Sequence, residues 1–132
     1  MRHGLVLADG AFDRLHPGHV RYLEFASQRG KPLLVRVAPD SVIRAKGREP
    51  QLTQAERIEL LEALWMVDEV IAGDGDDLPA VIRQHHPAVL VKGAEWDGRL
   101  PEEVLQACDA VDTTIIFYAP SLMERHTTER IG

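Results

Sequence analysis

The sequence is short of cysteine, of net positive charge and of long apolar runs, and each shortage excludes something. Cys108 is the one cysteine in 132 residues, so no internal disulfide can form, which fits a reducing compartment. Nothing around Cys108 resembles a catalytic base, so it reads as a small helix-packing residue rather than a nucleophile. The formal net charge is −6, which argues against the basic face of a nucleic-acid binder. No apolar run approaches the roughly 18 residues of a membrane span, and none reads as a signal peptide. A cytoplasmic protein with no nucleic acid and no membrane as partner is expected. Linkers, internal repeats and low-complexity segments are missing too.

What is present is ordinary globular material, 45% hydrophobic and 27% charged, enough for one domain over 1–132. Apolar runs alternate with helical periods along the chain. Strands are expected over 5–8, 33–37, 70–72, 89–91 and 115–118. Helices are expected over 17 to about 29, from Thr53 onward, over about 78–85 and over 101–110, with a short last one near Thr127. Gly30 sits where a helix C′ residue belongs. Thr53 and Glu56 form a capping box, and Ile58, Leu61, Leu64 and Trp65 recur at three- and four-residue spacing, which places Trp65 in the core. The rhythm implies an α/β fold, a single Rossmann-like domain whose five-stranded parallel sheet carries helices on both faces. Ligands of such folds bind beyond the carboxyl ends of the strands. Segments 10–19, 40–48, 92–97 and 120–128 all follow strands there.

The densest chemistry lies in Gly10-Ala-Phe-Asp-Arg-Leu-His-Pro-Gly-His19, after one strand and before one helix. Gly10 allows a tight turn, and Pro17 suits the first turn of a helix, where its missing N–H is not needed. His16 and His19, three apart, can project from one face, and Gly18 between them leaves the backbone open to a bulky anion. Free N–H groups and two imidazole donors at a helix start make a phosphate clamp. A zinc site would need two or more further ligands, and Cys108, His85 and His86 supply no evident set. A simple helix cap would explain either histidine alone but not the glycines, Phe12 and Asp13 beside them.

Gly-x-Phe-Asp at 10–13 followed by His-x-Gly-His at 16–19 resembles the signature of the cytidylyltransferase-like nucleotidyltransferases. The likeness covers nearly the whole chain. It implies nucleotide contacts from Gly10, Ala11, Phe12, Asp13 and Gly18, with His16, His19 and Lys46 as catalytic residues. Asp40, Lys46 and Arg57 match family positions near the acceptor; the resemblance has Arg57 either holding the lysine loop or reaching phosphate, and a plain surface arginine is the other reading. Asp68 matches a structural aspartate. The segment Lys92-Gly93-Ala-Glu95-Trp96-Asp-Gly98 is similar both to glycerol-3-phosphate cytidylyltransferases and to heptose-phosphate adenylyltransferases. Lys92, Gly93, Glu95 and Trp96 are therefore expected at the nucleotide, with a core role as the alternative for Trp96. Thr127 and Thr128 match a phosphate-binding pair at a helix start, although His126 replaces the family serine.

The expected reaction is in-line transfer of a nucleoside monophosphate from a nucleoside triphosphate to a small polyol or sugar phosphate, with pyrophosphate leaving. CMP and glycerol 3-phosphate are favoured, ATP with a heptose or other sugar phosphate is the alternative, and a nucleotide-binding regulatory module without turnover is a third reading. Mg²⁺ accompanies the triphosphate, and no protein metal site is expected. A homodimer is expected from the resemblance, with 12–15 and the first helix as its contact surface.

Overall fold

Short runs of branched aliphatic residues form five strands: β1 (Val6–Gly10), β2 (Leu33–Val37), β3 (Glu69–Ala72), β4 (Val89–Gly93) and β5 (Thr114–Tyr118). They pair in parallel in the order β3-β2-β1-β4-β5, in a computed structural model that describes residues 4–119. The helices are α1 (Pro17–Ser27), α2 (Asp40–Ala45), α3 (Gln54–Glu62), α4 (Leu78–His85) and α5 (Glu102–Ala110). This is the Rossmann-like α/β architecture the alternating pattern implies.

Side chains alternate across a strand, so each strand feeds two cores. Val6, Ala8, Val35 and Val91 meet Leu23, Phe25 and Ala26 of α1 and Leu61 of α3 on one face. Leu7, Leu34 and Leu90, in one register row, meet Val81 and Ile82 of α4 and Val104 and Ala107 of α5 on the other. Truncating any of these three leucines to alanine should cost about 2–5 kcal/mol, because the cavity left behind adds to the lost transfer energy. Cys108 is buried in that second core, a packing residue whose thiol is pushed up by burial.

Local signals mostly hold. Thr53 Oγ1 accepts from the Glu56 N–H at 3.1 Å and Glu56 Oε1 accepts from the Thr53 N–H at 2.9 Å, a complete capping box. The Asp68 carboxylate accepts from the Leu33 N–H at 2.7 Å and fixes the approach to β3. Among the described residues no helix is long and apolar enough to cross a membrane.

Three expectations change. Gly30 does not end α1 in a left-handed turn: Gln28 caps the helix with φ −85°. Gly30 is needed instead for packing, since a Cβ there would lie 2.5 Å from the Gly4 carbonyl oxygen. Segment 40–45, for which no helix is expected, forms α2, with Asp40 favourably placed in its first turn. Trp65 is not core. Helix α3 ends at Glu62, so the four-residue step from Leu61 no longer applies; Trp65 is 80% exposed and Met66 turns inward in its place. The short helix expected near Thr127 lies outside the described residues.

Candidate active site

From β1 the chain crosses over α1 to β2 on one side, while β4 flanks β1 on the other. That reversal opens a crevice beyond the carboxyl ends of β1 and β4, where parallel α/β sheets bind ligands. A cavity of about 1090 Å³ occupies it. Of the residues singled out in the sequence, Gly10, Ala11, Phe12, Asp13, His16, Gly18, His19, Lys46, Lys92, Gly93, Glu95 and Trp96 line it. Asp40 and Arg57 do not, and Thr127 and Thr128 lie outside the described residues.

His16 and His19 form an unusual capping box at the start of α1. His16 Nδ1 accepts from the Gly18 N–H at 3.0 Å, and His19 Nδ1 accepts from the His16 N–H at 3.3 Å. With both Nδ1 atoms accepting, the ring protons belong on Nε2, so each neutral imidazole keeps one N–H donor for a ligand. Burial and, next, the neighbouring His16 lower the His19 pKa to about 4, with the Arg14 carbonyl opposing. Gly18 serves this arrangement more than an incoming anion. A Cβ there would lie 2.8 Å from His16 Cε1, so the space beside Gly18 already belongs to the imidazole.

The loop before the histidines is held from below. Phe12 is 4% exposed and left-handed at φ 54°, its ring edge-on to His19 with centroids 5.4 Å apart. A Cβ on Gly10 would press on that ring at 3.1 Å. A Phe12 this buried is unavailable to the dimer surface expected over 12–15. The Asp13 carboxylate accepts from the Gln51 and Leu52 N–H groups at 2.8 and 3.2 Å, tying the loop to the segment before α3.

The cations divide into two kinds. Lys46, at the C-cap of α2, and Arg48 are exposed at the cavity, with Gly47 between them at φ +85°. Arg57, expected to hold the lysine loop, to reach phosphate or to lie on the surface, is 1% exposed and fully engaged. Its guanidinium donates to the Ala11 and Ala38 carbonyls at 2.7 and 2.8 Å, to the Leu52 carbonyl at 3.3 Å and to Asp40. Arg57 and Asp40 thus join the Gly10–Asp13 loop, the start of α2 and the segment before α3; they hold the site together from behind it.

A charged row on the floor escapes a reading by motif. Asp9, Arg36 and Lys92 stand two residues beyond Leu7, Leu34 and Leu90, hence on the same sheet face at its carboxyl end. Asp9 accepts from Arg36 at 2.7 Å and from Lys92 at 2.8 Å, so the Lys92 ammonium expected at the nucleotide is already neutralised. Burial works against the Arg36 charge, but Asp9 and Asp77 hold the guanidinium above the ordinary arginine range. The sequence does carry a signal for this row: three central strands break their apolar run at the same step with a charge. Tyr22, outside every motif, donates its hydroxyl to the Val91 carbonyl at 2.6 Å, clamping α1 to β4; burial and then Asp9 push its pKa up. Trp96 is half-buried beside the cavity rather than core, and a Cβ on Gly93 would meet the Glu95 carboxylate at 2.3 Å. Gly93 therefore makes room for Glu95.

Known proteins resemble this chain. The model of the cytidylyltransferase-like family matches residues 7–127. FAD synthase of Methanocella paludicola is 38% identical over 136 residues, 96% of this chain and 94% of that protein. D-beta-D-heptose 1-phosphate adenylyltransferase of Bordetella bronchiseptica is 38% identical over 132 residues, covering 97% and 80% of the two chains. Among solved structures, the lipopolysaccharide core biosynthesis protein of Thermoplasma volcanium superposes with a TM-score of 0.72 at 31% identity, over 89% of this chain and 95% of that one.

Proposed function

The chain belongs to the cytidylyltransferase-like family and is a nucleotidyltransferase, and from that premise we propose that it moves AMP from ATP to a small phosphomonoester. Two stacked, neutral imidazoles at the start of α1, lining one cavity with Lys46, carry this reading. The choice of AMP follows the two near-full-length relatives: FAD is FMN joined to AMP, and the other relative is named for adenylyl transfer. Both support the ATP alternative over the CMP and glycerol 3-phosphate that the 95–98 segment favours. The acceptor class is a flavin or sugar phosphate.

An oxygen of the acceptor phosphate attacks the α-phosphorus in line, the bond to the bridging oxygen breaks, and pyrophosphate leaves. That acceptor oxygen is already ionised at neutral pH, so no general base is required and catalysis is positioning plus charge stabilisation. The Nε2–H groups of His16 and His19 donate to the phosphoryl oxygens and Lys46 neutralises their charge, while the first N–H groups of α1 are taken up by the His16 ring and carbonyl. Thr127 and Thr128 belong to the same reading as further phosphate ligands. Among the described residues no group of three or more His, Cys, Asp or Glu could hold a metal ion. Mg²⁺ in this reading enters on the triphosphate, held by phosphate oxygens and water.

Pyrophosphate release, measured with ATP and with CTP against FMN, a heptose 1-phosphate and glycerol 3-phosphate, tests the proposal. Release with ATP and FMN or the heptose phosphate is expected. Release confined to CTP with glycerol 3-phosphate restores the cytidylyl reading, and nucleotide binding with no release from any pair leaves a regulatory module.

A further inference from the structure

A chain of alternating charges crosses the floor of the cavity from one wall to the other. At one end Asp77, which precedes α4, accepts from Arg36 Nε at 2.8 Å, and Arg36 Nη2 also donates to the Gly75 carbonyl at 2.9 Å. Arg36 Nη1 donates to Asp9 Oδ1 at 2.7 Å, and Asp9 Oδ2 accepts from Lys92 Nζ at 2.8 Å. At the other end that ammonium lies 4.6 Å from the centroid of the Trp96 ring. Gly73 is shaped to the chain: a Cβ there would lie 2.6 Å from the Arg36 guanidinium carbon. Arg36 and Lys92 are 4% and 5% exposed, so they border the cavity while their charge is committed to carboxylates.

The two ends belong to different walls. Asp77 closes the loop that brings Gly75, Asp76, Leu78 and Pro79 to the cavity, and Trp96 with Glu95 forms the wall after β4. A guanidinium is a rigid planar fork, and here its prongs bind the loop on one side and β1 on the other. We propose that the chain Asp77–Arg36–Asp9–Lys92–Trp96 is a positioning device that sets the separation of these walls and, through it, the affinity of the substrates held between them. None of its members is His16, His19 or Lys46, so affinity can be altered through the chain without replacing a residue assigned to the chemical step. The kinetic part rests on the transfer reaction proposed above; the structural part does not.

The test uses a Trp65→Phe background, which removes the exposed indole so that emission comes from Trp96. Asp77→Asn is then introduced at the far end, where the carboxylate is part-exposed and touches Arg36 rather than Trp96. Trp96 emission should shift and its acrylamide quenching rise. The KM of at least one substrate should rise about tenfold, the usual scale for a lost charge-assisted hydrogen bond, with kcat within about threefold. Arg36→Met should give the larger effect and Arg36→Lys a partial rescue, because lysine keeps the charge but loses the fork. Should Arg36→Met fail to fold, Asp77→Asn and Gly73→Ala decide. A folded Asp77→Asn protein with unchanged Trp96 emission overturns the chain. Altered emission with both KM values unchanged overturns its role in affinity. If no substrate pair releases pyrophosphate, the transfer reading fails on its own, and emission and quenching still decide the chain.

Discussion

His16 and His19 stack with ring centroids 3.9 Å apart and planes 24° from parallel, while each accepts a backbone N–H of the helix start they share. Two imidazolium ions could not sit like this without repulsion, and an Nδ1 that accepts a backbone N–H carries no proton, so the geometry selects the neutral forms and leaves hydrogen-bond donors, not cations, for a ligand in the cavity. Replacing either histidine by alanine should lower kcat by about 10²–10³, the scale for removing one donor to transition-state charge. Steady-state kinetics with a folded-state check by circular dichroism measures it, and near-normal turnover in either variant rejects the assignment.

The same pair makes stability depend on pH in a defined direction. His19 titrates near 6.5 when unfolded and at about 4 when folded, because burial first and His16 second oppose its charge. Between these values the unfolded chain binds the proton and the folded one does not, so stability falls as pH drops through that window and levels off below it. Melting curves of the native protein and of His19→Gln should differ in slope there. Parallel slopes would mean that His19 is not held neutral by the fold.

Gly18→Ala probes the cap while leaving both histidines in the sequence. The new methyl group collides with His16 at Cε1 and Nδ1. Losing this cap should cost about 1 kcal/mol of stability, with a larger proportional loss of turnover as His16 is displaced. Full activity in Gly18→Ala would show that the His16 ring can move aside freely.

Arg57 and Lys46 should separate cleanly. Arg57→Ala leaves Asp40 and three carbonyls without their donor and should destabilise the protein by about 3 kcal/mol or more, measured by urea unfolding. Lys46→Ala alters an exposed side chain and should change stability by less than about 0.5 kcal/mol, while impairing turnover and binding of the anionic substrates. A stable Arg57→Ala with only a raised KM would return Arg57 to the substrate.

Much of this site is legible in the amino-acid order alone. The motif at 10–19 states its own context, and the capping box at Thr53 and Glu56 is local chemistry that depends on no distant partner. Strand and helix positions follow from apolar periodicity for the same reason. Periodicity misplaces Trp65 because it carries no mark of where a helix stops, and it passes over α2 because six residues hold too little of a period to read.

By itself, then, the sequence determined the fold class, the Gly10–His19 motif loop and the identity of the histidines, since each rests on neighbours within a few residues. Only the tertiary structure decided what the charged residues do. Arg57 and Asp40 hold three loops from behind, Lys92 and Arg36 are spent on Asp9, and Lys46 is left exposed at the cavity. The physical reason is strand register. Asp9 is 27 residues from Arg36 and 83 from Lys92, and these charges become neighbours only when parallel pairing aligns the ends of β1, β2 and β4.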